Sequence, residues 1–77
     1  MSRLRLVPYR DLAKVAERAR FHWARRAESH NTFVGPDGMI VVIPDHGSLV
    51  IVRPLLRKII RDLGLTPDEY TRILEDL

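Results

Sequence analysis

Few side chains in this 77-residue chain could do chemistry, and His30 is the most informative of them. It follows the pair Arg25 and Arg26 and heads a short predicted strand that ends near Val34. In an extended strand His30 and Phe33 lie on opposite faces. Phe33 is the natural core residue, so we expect His30 to face solvent, where an imidazole takes and gives a proton near neutral pH. Composition alone favours the alternative, an exposed histidine without a role.

Metal chemistry finds little support in the sequence. The chain has no cysteine, which excludes disulfides and thiolate metal sites. The three histidines, His22, His30 and His46, are scattered and none pairs with another ligand at a spacing typical of a metal site. We therefore predict no metal and no cofactor.

Other hydrolytic sites are also disfavoured. Ser29 and Ser48 lack the G-x-S-x-G context of a nucleophile elbow. The four glycines fit no nucleotide-binding spacing. Asp37 and Asp45 are typical turn formers, so they do not suggest the carboxylate pair of a glycosidase.

RNA cleavage demands less of a small protein, because RNA carries its own nucleophile, the 2′-hydroxyl beside the scissile phosphate. The protein must hold the strand, remove the 2′-hydroxyl proton and stabilise charge on the phosphate oxygens. His30 suits the second task. The cationic candidates for phosphate contacts are Arg25, Arg26, Lys58 and Arg61.

Charge is unevenly distributed along the chain. The net charge is +3, and two cationic blocks, residues 1–30 and 53–65, flank a middle segment without Lys or Arg. This pattern indicates a basic face suited to nucleic acid, although solvated helix faces would give the same pattern.

The strands that position His30 follow from alternation and turn signals. From Phe21 the period is two, which predicts that Phe21, Trp23, Arg25 and Ala27 share one side and His22, Ala24 and Arg26 the other. A strand from about His30 to Val34, the turn Gly35–Gly38 and a β-branched strand Met39–Ile43 ended by Pro44 follow. Together they predict an antiparallel meander.

Three apolar stripes at helical spacing predict helices around this meander. The first runs from about Pro8 to Arg20, and the second over Leu55–Leu63 with Gly64 as its end. Thr66 and Glu69 form a capping-box pattern that opens the third, whose apolar face includes Leu77. The predicted fold is α+β, a three-stranded antiparallel sheet with helices packed on one face, in the order α-β-β-β-α-α.

Length predicts one domain over residues 1–77. The N-terminal apolar run is too short for a signal peptide, and no segment approaches membrane-spanning length. We expect a soluble, cytoplasmic protein without a membrane partner.

The chain resembles the HicA-type toxins, small mRNA interferases of bacterial and archaeal toxin–antitoxin systems. The resemblance extends from the first helix to Tyr70. It rests on Ser29-His30 followed by Phe33, on the Pro36-Asp37-Gly38 turn, on Ile40–Pro44 with His46 two residues on, and on the helix ending in Gly64-Leu65-Thr66.

The resemblance implies a double-stranded-RNA-binding-domain-like fold and a type II toxin that acts as an endoribonuclease on mRNA. It implies that His30 is the catalytic residue, that His46 contacts RNA or supports the site, and that a HicB-type antitoxin neutralises the protein. The family usually has glycine at two positions that are Arg20 and Glu28 here, and a Gly-Thr helix cap that this chain lacks.

The apolar run Leu49–Val52 has two readings. If exposed, it offers a surface for the antitoxin or for a second copy of the chain, which would give a homodimer within a toxin–antitoxin complex. If buried, it is a fourth short strand or a packed loop. A non-catalytic RNA-binding or partner-binding module on the same fold is the alternative to the nuclease.

Overall fold

The computed structural model describes residues 3–77 as three helices around a three-stranded sheet. The elements are α1 (Tyr9–Arg18), β1 (His22–Ala27), β2 (His30–Val34), β3 (Ile40–Pro44), α2 (Arg53–Asp62) and α3 (Pro67–Glu75). The sheet is antiparallel in the order β1-β2-β3. The predicted α+β class and element order are confirmed, and they are compatible with the double-stranded-RNA-binding-domain-like fold that the resemblance implies.

The two faces of the sheet have different surroundings. Asn31 and Phe33 of β2 are buried beneath the helices, and the ring of Tyr9 in α1 tilts against Phe33 with 6.4 Å between centroids. We call this side the helix face. His30 and Thr32 alternate to the other side, which carries no helix within residues 3–77 and which we call the open face.

The core lies between the helix face and the apolar stripes of α1 and α2. The buried helical residues are Leu12, Val15 and Ala16 of α1 and Leu56, Ile59 and Ile60 of α2. Burial of each large aliphatic side chain contributes about 1.5–3 kcal/mol. This packing fixes the helices on one side of the sheet; on the open face His30 and Val42 are exposed, whereas Thr32 is only 8% exposed.

The start of α3 is set by its capping residues, and its end differs from the prediction. Thr66 and Glu69 exchange the two hydrogen bonds of a capping box, at 3.1 and 2.8 Å. Tyr70 and Leu74 are buried, but the helix stops at Glu75. The predicted place of Leu77 on the apolar face is therefore wrong, because this side chain lies beyond the last turn and is 46% exposed.

A β-bulge in β1 changes the predicted strand faces. Trp23 pairs with Phe33 and Arg25 pairs with Thr32, so Ala24 is an extra residue in the ladder. Directly paired residues share a face, which places Trp23 on the helix face and Arg25 on the open face. The prediction that Trp23 and Arg25 share one side is wrong, because strict alternation does not survive an inserted residue.

The turn between β2 and β3 is the predicted one. It contains a short 3-10 segment, Pro36–Gly38, in which Asp37 and Gly38 have φ of +59° and +74°. Gly35 precedes it and packs against Phe21, where a Cβ atom would lie 2.5 Å from the aromatic ring. Glycine is thus required there for the ring to close the core.

Part of the run Leu49–Val52 is buried and part is exposed, so each of the two interpretations holds for some of its residues. Ile51 is buried and its N–H donates to the carbonyl of Val7 at 2.9 Å, beside an isolated bridge between Pro8 and Val50. Leu49, in contrast, is 70% exposed. Within residues 3–77, no helix has the length and apolar character needed to cross a membrane.

The N-terminal segment is tied to the helices by two hydrogen bonds. The Tyr70 hydroxyl donates to the carbonyl of Arg5 at 2.6 Å, and the Arg53 guanidinium donates to the carbonyl of Leu4 at 2.7 Å. Burial raises the pKa of Tyr70 from 10.0 to about 12, because the phenolate would lose its hydration. Deprotonation of Tyr70 is therefore expected to lower the stability of the folded protein at alkaline pH.

We expect the wild-type protein to lose stability as pH rises from about 10 towards about 12, because the unfolded chain releases the Tyr70 proton first. The loss amounts to about 1.4 kcal/mol by pH 11. Tyr70→Phe loses about 1 kcal/mol at neutral pH with its hydrogen bond, but its stability declines less between pH 8 and pH 11. Urea unfolding at both pH values measures the difference. Equal declines in both proteins would contradict the assignment.

Candidate active site

His30 occupies the central strand at one end of the open face. It pairs directly with Ala27 of β1 and with Pro44 of β3, and its side chain is exposed. Both neighbours are apolar and short, so nothing in their side chains can cover the imidazole or accept its proton. The ring is free to meet a ligand that lies across the sheet.

Arg25 lies on the neighbouring strand and shares the open face with His30. It pairs with Thr32, which is two residues along β2 from His30 on the same face. Such diagonal neighbours lie about 7–8 Å apart, within reach of a long arginine side chain. An anion resting between them could contact both side chains.

Arg26, the other half of the arginine pair, points to the helix face. Its Nε donates to the carbonyl of Glu28 at 2.6 Å, and its Nη1 lies 3.3 Å from the Asp45 carboxylate. The bond is to the main chain of Glu28, and within residues 3–77 the Glu28 carboxylate forms no ion pair. Arg26 therefore holds the β1–β2 turn against the loop after β3.

The loop after β3 is anchored beside the same turn. Asp45 N–H donates to the carbonyl of Ser29 at 2.7 Å, and the Asp45 carboxylate accepts from Gly47 N–H at 2.9 Å. His46 lies between these residues and is exposed. Because Pro44 pairs with His30, the loop places His46 at the same end of the sheet.

Lys58 and Arg61 lie elsewhere. The buried side of α2 packs against the sheet from the helix face, so its charged side points to solvent on the far side of the protein. Lys58 Nζ is 2.7 Å from the carboxylate of Asp62, one turn along the helix. The structure does not bring these two cations together with His30.

Two residues of β1 that were not proposed as site residues are informative about the two faces of the sheet. His22 pairs with Val34 and so lies on the open face, in line with Arg25. On the helix face, Trp23 Nε1 donates to the side-chain oxygen of buried Asn31 at 2.9 Å, which fixes the residue next to His30. Alternation from Phe21 predicted the directions of His22 and Trp23, but only the bulge brings His22 and Arg25 to the same face, and no local signal in the sequence indicates the bulge.

The two positions where the resemblance predicts glycine adopt left-handed backbone conformations. Arg20, between α1 and β1, has φ of +72°, and Glu28, in the β1–β2 turn, has φ of +55°. A side chain costs about 1–2 kcal/mol in this region, whereas glycine adopts it readily. At both positions, therefore, this chain has a residue with a side chain in a left-handed backbone conformation that favours glycine.

We expect Glu28→Gly to stabilise the protein by about 1 kcal/mol, because it relieves the left-handed conformation. The same change removes a carboxylate two residues from His30, so binding of an anionic ligand should tighten. Glu28→Gln is the matched control, since it removes the charge and keeps the backbone strain. Arg20→Gly should add stability without a change in binding. Urea unfolding and ligand titration separate the two effects, and a Glu28→Gly protein no more stable than Glu28→Gln would contradict the argument.

A surface groove on this protein lies away from His30. An open groove of about 640 Å³ lies between α1 and the loop after β3, lined by Tyr9, Lys14, Asp45 and Ser48 among others. It lies on the helix side of the sheet. Burial raises the pKa of Tyr9 there, and the nearby Asp45 charge adds to this. Among the described residues, no group of three His, Asp or Glu side chains could hold a metal ion.

Comparison with known protein families finds a match over most of the chain. The family model described as the HicA toxin of bacterial toxin–antitoxin systems matches residues 9–65, from the start of α1 to just beyond α2. No curated protein matches the chain. The matched region spans more than half of the chain and contains every candidate site residue. The chain belongs to the HicA family of toxins from bacterial toxin–antitoxin systems.

Proposed function

We propose that this toxin is an endoribonuclease, an mRNA interferase, that cleaves RNA without a metal ion and uses His30 at the 2′-hydroxyl. The observation that carries the proposal is the exposed imidazole of His30 on the open face, with Arg25 as its diagonal neighbour. An RNA strand laid across this face would meet a proton acceptor and a cation together.

The chemistry needs only groups that this face and the substrate supply. His30 takes the 2′-hydroxyl proton as the 2′-oxygen attacks the adjacent phosphorus. A bond forms between the 2′-oxygen and phosphorus, and the bond from phosphorus to the 5′-oxygen breaks. The leaving 5′-oxygen takes a proton from water or from the His30 imidazolium. The products are a 2′,3′-cyclic phosphate and a 5′-hydroxyl.

Arg25 has the second role in this proposal. Its guanidinium can donate two parallel hydrogen bonds to the non-bridging phosphate oxygens, where negative charge increases in the transition state. His46 would contact the strand at the same end of the sheet. Arg26 supports the site by holding the turn before His30, through its bonds to Glu28 and Asp45.

Lys58 and Arg61 would serve only an RNA segment that wraps around to the helix side, because they lie away from the open face. Their part in RNA binding stays a prediction. The proposal places the protein in the cytoplasm, where mRNA is found, and gives it a HicB-type protein as its antitoxin.

A matched pair of RNA substrates tests the chemistry. The purified toxin is mixed with a labelled RNA in about 5 mM EDTA. A second reaction contains the same RNA with a 2′-deoxy sugar at each cleaved position. We expect cleavage of the first to leave 2′,3′-cyclic phosphate ends and the second to stay intact. Cleavage of the deoxy substrate, or loss of activity in EDTA, would contradict the mechanism. Binding without cleavage of either RNA would favour a non-catalytic RNA-binding module.

A further inference from the structure

The outer edge of β3 is an unprotected strand edge. Within residues 3–77, β3 has β2 as its one strand neighbour, and no backbone hydrogen bond outside that ladder involves residues 40–43. Half of the main-chain groups in an edge strand point away from the sheet. In β3 these groups form no hydrogen bond within residues 3–77.

The register identifies which groups point outward. Gly35 N–H donates to the carbonyl of Met39 at 2.7 Å, so this pair is of the hydrogen-bonded kind. Hydrogen-bonded pairs alternate along an antiparallel ladder, so Val41, two residues on, also directs its main chain to β2. Ile40 and Val42 therefore direct their N–H and C=O groups outward.

The side chains of the same two residues are apolar and exposed. Ile40 is 58% exposed and Val42 is 42% exposed, and both lie on the open face. No charged residue occurs between Asp37 and Asp45. Proteins usually protect such edges with charges, prolines or bulges. Here Pro44 stands only at the last position of the strand.

We propose that this edge pairs antiparallel with the same edge of a second copy of the chain, about a two-fold axis at Val41. Ile40 of one copy then lies opposite Val42 of the other, and each residue exchanges both of its outward hydrogen bonds. The two sheets become one continuous sheet, with the open faces side by side.

Symmetry and charge favour a second copy of the chain as the partner of the β3 edge. The outward groups are two residues apart, so a two-fold axis between them satisfies all of them with no shift in register. The uncharged strand meets its own equivalent without like charges, and Ile40 against Val42 is a favourable apolar cross-strand pair. At the ends of the strand, Asp45 is already paired with Arg26.

One strand pair buries a small area, so association is weak and depends on concentration. Each copy carries a net charge of +3, so added salt should strengthen the dimer by screening their repulsion. RNA binding has the opposite salt dependence. The dimer does not depend on the proposed nuclease activity, and a His30→Ala protein should associate as wild type does.

Sedimentation equilibrium over about 10 μM to 1 mM protein tests the proposal. We expect wild type to dimerise within this range and Val42→Lys to weaken the dimer at least tenfold. Val52→Lys is the matched control, since it also replaces an exposed valine but lies off the strand, and it should dimerise normally. Circular dichroism verifies that each variant is folded. A wild-type monomer throughout, or equal weakening by both variants, would overturn the proposal.

Two further measurements test the register. Amide hydrogen exchange at Ile40 and Val42 should slow as protein concentration rises, whereas Val41 is protected at every concentration. A mixture of Val42→Lys and Ile40→Glu chains should form a heterodimer more readily than either chain forms a homodimer, because the new charges face each other. Exchange at Ile40 and Val42 that is independent of concentration, or slowed only by an added antitoxin, would overturn the second copy as occupant.

Discussion

Replacing His30 with alanine is expected to lower the rate of RNA cleavage at least about 100-fold, because the 2′-hydroxyl loses its positioned base. The imidazole is exposed and forms no hydrogen bond or ion pair with residues 3–77, so stability should change by no more than about 0.5 kcal/mol. RNA affinity should fall only slightly, since the cations remain. Initial rates, urea unfolding and fluorescence anisotropy measure the three quantities.

His22→Ala is the matched control for this prediction. His22 is also an exposed histidine on the open face, but it lies at the far end of β1 beside Val34. We expect it to cleave within about threefold of wild type. In cells, induced wild type should deplete mRNA while His30→Ala leaves mRNA intact. If His22→Ala lost as much activity as His30→Ala, or if His30→Ala cleaved normally, the assignment of His30 would fail.

Replacing Arg25 with alanine should lower cleavage about 100-fold, because the developing charge on the phosphate loses a fixed donor. The affinity for RNA should fall as well, and the slope of log affinity against log salt should decrease by about one phosphate contact. Arg25→Lys should recover part of the affinity but less of the rate, since lysine cannot donate two parallel bonds. Single-turnover rates and salt titrations measure both effects.

Arg61→Ala is the matched control, because it removes one exposed arginine from the helix side of the protein. We expect less than about a threefold change in cleavage, and a decrease in the salt slope only for an RNA long enough to reach the helix side. Equal losses in Arg25→Ala and Arg61→Ala would mean that RNA binds across the helices, and the open face would not be the site. A loss confined to Arg26→Ala would instead point to the turn before His30.

The elements of this fold could be predicted because each has a local cause. Helical stripes, the turn after Gly35 and the capping box of Thr66 and Glu69 depend on residues close in sequence. Alternation in β2 likewise indicated that His30 and Phe33 would face opposite ways. Alternation in β2 did not show where α2 lies, so Lys58 and Arg61 were proposed as RNA contacts with Arg25 and Arg26, and only the packed structure separates them from His30.

The rest of the site depends on partners distant in sequence. The bulge at Ala24 is decided by the pairing of β1 with β2, and a period-two pattern cannot reveal it. The Arg26 contacts with Glu28 and Asp45 join a turn to a loop 17–19 residues away. The contact of Arg26 with Asp45 exists only after the sheet has formed, so the sequence could place Arg25 and Arg26 on opposite sides of the strand but not show which of them would be held by the loop after β3.

The bulge at Ala24 also limits how large an assembly of this chain can become. A sheet that can pair at both edges adds copies without end and grows into a fibre. The edge of β1 bends at the bulge and carries Arg25 and Arg26, so it is a poor template for another strand. Growth would stop once the β3 edges had met. At high concentration the protein would thus remain a small oligomer and would not grow into a fibre.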